Sequence, residues 1–227
     1  MRPSKLFTTA GVVSLVVGPV AVLVQYLFTP ISGDLKTGAL VEKAAQHHGA
    51  MRTALLLDIP AMLVIPAVLF VGYLIGSRTS TFAGVATGLC LVPAIGGVVL
   101  FANDAVVYEA AKLADRQSAV ALVHGYMNNV MIGTVVAIYL ITHVIGFIML
   151  AVALRRQRVV PVWAVVALAV WPIVEVLGYS VNTKVVTAVA YGLLVAGYGA
   201  CAAALVRHDE PLGSTPHAAA LGQNQPA

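Results

Sequence analysis

Apolar residues run along this chain in long blocks, and the polar residues collect between them. Six blocks of about 18 or more residues carry almost no charge, at 8–28, 53–76, 81–102, 129–154, 160–180 and 185–206. Blocks of that length cross hydrocarbon, and in lipid each must be helical, because every backbone polar group needs a partner within its own segment. The first block follows Arg2 and Lys5, as in a signal peptide. It is long for a cleavable apolar region, and no small-x-small site follows Leu27-Phe28, so it reads as a retained helix. The pattern predicts an all-α, polytopic membrane bundle of six transmembrane helices over 1–206. A tail over 207–227, with Pro211, Gly213, Pro216, Gly222 and Pro226, is expected to be disordered. Two long connections, 29–52 and 103–128, are expected to be partly helical over 39–51 and 110–123, each running directly into a membrane helix.

The short loops set the orientation. Arg2, Lys5, Arg78, Arg155, Arg156, Arg158 and Arg207 all fall on one side, which should be the cytoplasm. The other side mixes Lys36, Lys43, Arg52, Lys112, Arg116 and Lys184 with Asp34, Glu42, Asp104, Glu109 and Asp115. Both termini are then cytoplasmic, the tail is a cytoplasmic tail, and the protein is a multi-pass protein of a bacterial inner membrane.

Composition agrees with this picture. Of 227 residues, 60% are hydrophobic and 10% charged, against about a quarter charged in soluble domains, and the mean hydropathy is +0.93. The formal net charge of +4 is scattered over loops and forms no basic stripe, which argues against a nucleic-acid partner. Cys90 and Cys201 sit far apart in apolar runs, so cysteine redox or haem attachment has no support.

A weak duplication runs through the first four helices, as a two-helix unit at 8–76 and 81–154. Thr8-Thr9-Ala10-Gly11-Val12 matches Thr81-Phe82-Ala83-Gly84-Val85, and His48-Gly49-Ala50-Met51 matches His124-Gly125-Tyr126-Met127. Chance similarity among Val- and Ala-rich helices is the alternative. Pro19, Pro93 and Pro172 lie near the centres of helices one, three and five, and Pro60 and Pro66 lie in helix two. Such prolines bend helices and open room for a cavity, although proline is also simply commoner in membrane helices. Helix six carries Gly192, Ala196, Ala200 and Ala204 at a spacing of four, a packing face within the bundle or across a homo-oligomer.

Ionisable groups inside hydrocarbon cost about 2.5–3.5 kcal/mol each on insertion scales, so they mark function by default. Three fall within the spans: Asp58, His143 and Glu175. On the proposed orientation Asp58 lies in the outer third of helix two, Glu175 a turn from the outer surface, and His143 slightly past the middle of helix four. Asp58 and Glu175 are the candidate catalytic acids, as carboxyl groups in a dry site able to hand over a proton. The alternative is structural, with Asp58 paired to Arg52 or a neighbouring helix, and Glu175 to Lys184 or interfacial water. Arg52, Asn103, Asp104, Asn128, Tyr139, His143 and Tyr179 are candidate ligand-binding residues around a funnel that opens outward and narrows toward His143. Asn128, Tyr139 and His143 share one face of helix four at the helical period.

The paired HGxM motifs make His48 and His124 candidate metal or haem ligands, since imidazole and thioether suit borderline and soft metals. His is equally common at helix entries, and no second carboxylate or cysteine ligand is placed by spacing. No cofactor is therefore assigned. Walker, GxSxG, HExxH and GxGxxG signatures are absent, as is an aspartate cluster for diphosphate chemistry.

The run Gly146 to Leu154, the basic turn Arg155 to Arg158 and Val160-Pro161-Val162-Trp163 resemble an uncharacterised bacterial six-helix membrane family, as does the pre-helix through Arg52. That family supplies no catalytic residues to carry over. Trp171-Pro172-Ile173-Val174-Glu175-Val176-Leu177-Gly178-Tyr179 more loosely resembles the Trp- and Glu-bearing helix of small integral-membrane terpene cyclases. That resemblance implies acid catalysis on an alkene or epoxide, although those enzymes have seven helices. Three classes follow: a protein that binds or handles a lipophilic small molecule in an outward-facing polar pocket, an intramembrane cyclase or isomerase, and a metal or haem protein. Partners are a lipophilic small molecule and membrane lipid.

Overall fold

The computed structural model describes residues 4–30, 36–76 and 79–209, and among them every regular element is helical. In chain order these are α1 (Lys5–Phe28), α2 (Thr37–Gln46), α3 (His48–Ala61), α4 (Val64–Leu74), α5 (Thr81–Ala110), α6 (Arg116–Met127), α7 (Val130–Gln157), α8 (Val162–Ser180) and α9 (Lys184–Asp209). Six segments are long and apolar enough to cross a membrane: α1, α3 and α4 taken together, α5, α7, α8 and α9. The chain is a multi-pass membrane protein with an even number of crossings, so residues 4 and 209 lie on one side, the terminal side. Arg2, Arg78, Asp34 and 210–227, and with them most of the expected tail, fall outside the described residues. Residues 207–209, assigned to the tail by sequence, continue α9.

The spans close a ring in chain order. α1 packs on α3 and α4, these on α5, α5 on α7, α7 on α8, α8 on α9, and α9 returns to α1. Three short turns, two on the terminal side and the α8–α9 turn on the other, and two longer connections carrying α2 and α6, make successive spans antiparallel neighbours, so every span buries two flanks and turns a third face to lipid. α9 opens by donating from Lys184 Nζ to the carbonyls of Leu27 (2.9 Å) and Thr29 (3.0 Å), which satisfies the free end of α1.

Two boundaries differ from the hydropathy pattern. The third span does not stop at 102, because α5 runs to Ala110. Asn103, Asp104 and Glu109 end the apolar block, but no glycine or proline follows Gly97 until after the helix, so nothing breaks it. The second span is broken at Met62–Leu63 between Pro60 and Pro66. There the bonds tighten to a spacing of three residues, from Leu63 N to Pro60 O (3.1 Å) and from Ile65 N to Met62 O (3.0 Å). Pro66 has no N–H to give the Met62 carbonyl, so Ile65 takes that place. Gly18 of α1 lies against this break. A Cβ there would stand 2.6 Å from Val64 N and 2.8 Å from the Leu63 carbonyl carbon, so only glycine fits. The two long connections are helical as expected but shifted, to Thr37–Gln46 and Arg116–Met127, with a joint at His47 where a continuous helix into the membrane was expected.

The core is lopsided. Leu15, Val68, Leu150, Leu168, Tyr198 and Leu205 fill the terminal-side half of the ring without a gap to solvent. Gly197 lets α9 approach α8 there, since a Cβ would sit 2.5 Å from Leu168 Cγ. Of the small residues on α9, the sixth span, Ala200 and Ala204 are buried inside the bundle. A second, smaller core joins α2, α6, the start of α3 and the end of α5 through Val41, Met51, Val107, Ala110, Ala119 and Val123. It caps the far side. Between the two cores the ring is not filled.

Candidate functional site

A cavity of about 550 Å³ lies in the far half of the ring, with residues from all six spans in its wall and Leu40 of α2 and Met127 of α6 reaching it from the cap. The volume is in the range of sites for small organic ligands. Most of the wall is apolar or aromatic, including Val22, Met62, Val98, Phe101, Leu140 and Leu194.

The polar groups converge on one cluster. His143 Nε2 of α7 lies 2.7 Å from Glu175 Oε2 of α8, with the two side chains 3% and 5% exposed. The contact meets an ion-pair distance, not a hydrogen-bond direction. The other carboxylate oxygen, Oε1, accepts from the Tyr191 hydroxyl of α9 at 2.7 Å, and Tyr191 in turn lies 3.2 Å from the Tyr179 hydroxyl. Aromatic rings fix the imidazole. Tyr139 stacks on it at 4.9 Å between centroids, and Trp171 meets it edge-on at 4.5 Å. Trp171 Nε1 is buried and has no hydrogen-bond partner although the side chain lines the cavity.

A second polar group sits in the same wall toward the cap. Asp104 lines the cavity, and its Oδ2 lies 3.4 Å from Gln25 Nε2, which also reaches Thr29 Oγ1 at 3.3 Å. Asp58 is within electrostatic reach of Asp104. It is 5% exposed, its Oδ1 has no partner, and it makes no ion pair with any described residue.

Six of the residues singled out from sequence therefore share this wall: Asn103, Asp104, Tyr139, His143, Glu175 and Tyr179. Others do not. Asp58 stands one turn behind Ala61 and Met62, which do line the cavity. Arg52 is exposed on α3 and forms no ion pair with Asp58. Asn128 lies outside the fourth span, which begins at Val130, and ends α6 by donating from Nδ2 to the His124 carbonyl (2.8 Å). His48 is stacked on Tyr108 with centroids 4.3 Å apart, and His124 is exposed beside Asn128. Among the described residues no group of three His, Cys, Asp or Glu side chains is placed to hold a metal ion.

Two sequence expectations are corrected. Glu175 does not pair with Lys184, which is committed to the Leu27 and Thr29 carbonyls. Nor do His143 and Glu175 lie at different depths. Depth in a helical hairpin is counted from the shared turn, and both residues are sixteen positions from Val159 in the α7–α8 turn. Glu175 looked superficial because α8 has 19 residues while α7 has 28. The same mirror rule finds the partner that sequence reading missed: Glu175 and Tyr191 are each eight positions from Thr183 in the α8–α9 turn. Trp171 was marked only by the resemblance of its segment to the terpene-cyclase helix, and Gln25 was not singled out.

Comparison with family models, with curated proteins and with solved structures gave no match.

Proposed function

We propose that the ring binds or handles a lipophilic small molecule, held in the cavity with its polar end toward His143, Glu175 and Trp171. The observation that carries this reading is the cavity itself, an apolar chamber within a membrane bundle into which a few buried polar groups converge. The basic loops favour an orientation in which the chamber faces outward.

Gly97 offers the test. It lines the cavity, and a Cβ added there meets nothing within 4 Å, so Gly97→Phe fills the space without disturbing the ring. Protein purified in mild detergent should release a stoichiometric lipophilic compound on solvent extraction and mass spectrometry, and Gly97→Phe should release none. The same compound from both proteins, or none from the wild type, would rule the reading out.

Intramembrane acid catalysis is the second reading, favoured by the buried carboxylate–imidazole pair in an aromatic wall and by the resemblance of the Trp171–Tyr179 helix to terpene cyclases. On it Glu175, with His143 behind it, is the proton donor, because Asp58 does not reach the chamber. A catalyst would leave Glu175→Gln carrying an unconverted precursor where the wild type carries a product. A binding protein would carry the same compound in both.

A further inference from the structure

The charge inventory of the cavity is one-sided. Among the described residues its wall holds two carboxylates, Asp104 and Glu175, and no lysine or arginine. Glu175 is matched by His143 and Tyr191. Asp104 accepts from Gln25 at 3.4 Å and from the adjacent Asn103 side chain, both neutral amides, and the residue it faces electrostatically is a second acid, Asp58, buried with an unpartnered oxygen. Among the described residues neither aspartate is in an ion pair. Lys184, on α9, reaches the rim of the wall, but it is held by the carbonyls of Leu27 and Thr29, 5.9 Å from the centre of the Tyr26 ring, and pairs with neither aspartate.

A carboxylate in an apolar wall is costly without a cationic partner, and a cationic ligand would supply one. The rest of the wall has the matching chemistry. Tyr26, Tyr139, Tyr179, Tyr191, Phe101 and Trp171 present rings to the chamber, and aromatic faces attract organic cations once water is excluded. An anionic ligand would meet the carboxylates with no basic side chain to receive it. The shape and volume suit an organic molecule, and the apolar wall disfavours a hydrated inorganic ion.

We propose that the ligand is a lipophilic organic cation, an amine or quaternary ammonium carrying bulky apolar groups, whose charge is received by Asp104 with Asp58 behind it. The proposal rests on the reading of the cavity as a small-molecule site and adds the ligand's charge.

Three probes of one shape and different charge make the test: tetraphenylphosphonium, tetraphenylmethane and tetraphenylborate, each measured by equilibrium dialysis against the full-length protein in neutral detergent. The cation should bind at least about tenfold tighter than the neutral probe, with the anion weakest, since a single modest charge contact supplies that ratio. Asp104→Asn should bring the affinity for the cation down to that of the neutral probe. Equal binding of cation and neutral probe, both displaced in Gly97→Phe, would overturn the charge assignment and keep the cavity as a ligand site. Binding of none of the three would overturn both. If Asp104→Asn does not fold, the order among the three probes on the wild type decides by itself.

Discussion

Replacing His143 or Glu175 with leucine, singly and together, tests whether the cluster at the cavity floor is one coupled unit. His143→Leu leaves a carboxylate 5% exposed with only the Tyr191 hydroxyl at 2.7 Å, and removing one partner of a buried pair costs about 3–5 kcal/mol. Glu175→Leu leaves a buried imidazole unpaired, for about 1–3 kcal/mol. Independent sites would give the double variant the sum of these. A coupled pair replaced by two apolar side chains should instead lie within about 1–2 kcal/mol of the wild type, because nothing charged remains buried and Tyr191 keeps its 3.2 Å contact with Tyr179. Unfolding is readable through the two free thiols, since Cys90 and Cys201 are fully buried and react with a fluorogenic maleimide only when the bundle opens. At about 2–4 °C per kcal/mol for a chain of this length, His143→Leu should lower the midpoint by roughly 6–20 °C. The double variant should recover most of that loss. A double variant no more stable than the sum of the single losses would show that the 2.7 Å contact contributes no coupling.

Gly18→Leu should yield little monodisperse protein, because its side chain would collide with the backbone at Leu63 and Val64, while Gly192→Ala, with nothing within 4 Å, should behave as wild type on gel filtration; equal yields would sink the close-approach account. Asp115 caps α6 by accepting from Gln117 N and Ser118 N at 3.1 Å each and from the Ser118 hydroxyl, and the Ser118 bond, ahead of the backbone bonds, holds its carboxyl below the usual carboxylate range. Its folded pKa being depressed, the cap is present above the unfolded value and is lost as pH falls through the folded one. Deuterium exchange over 116–127, corrected for intrinsic rates, should therefore rise on acidification in the wild type and be raised and flat with pH in Asp115→Ala. Both chain ends should be cytoplasmic, so alkaline phosphatase fused to the C-terminus should be inactive; an active fusion would invert the ring and turn the cavity toward the cytoplasm.

The six spans were legible from sequence because hydrocarbon offers no partner for a backbone amide, and a long apolar block has one answer there, a helix. The polar residues that matter were legible for a related reason, since His143, Glu175 and Asp104 are costly in an apolar setting and stand out against it. Which of them meet was decided by the tertiary structure. Hydropathy fixes where a helix crosses, not its rotation about its own axis. The ring order and the antiparallel hairpins brought His143 and Tyr191 to Glu175 and sent Lys184 to the end of α1. Asp58 and Asp104 show the same division. Both were visible as acids, but only packing set Asp104 in the cavity wall and Asp58 behind it, because α5 continues past its apolar block and the second span breaks at Met62–Leu63. The polar residues hinted at a pocket, but the bounds of the chamber have no signature in the chain, since it is the volume left where two cores, each packed from several helices, fail to meet.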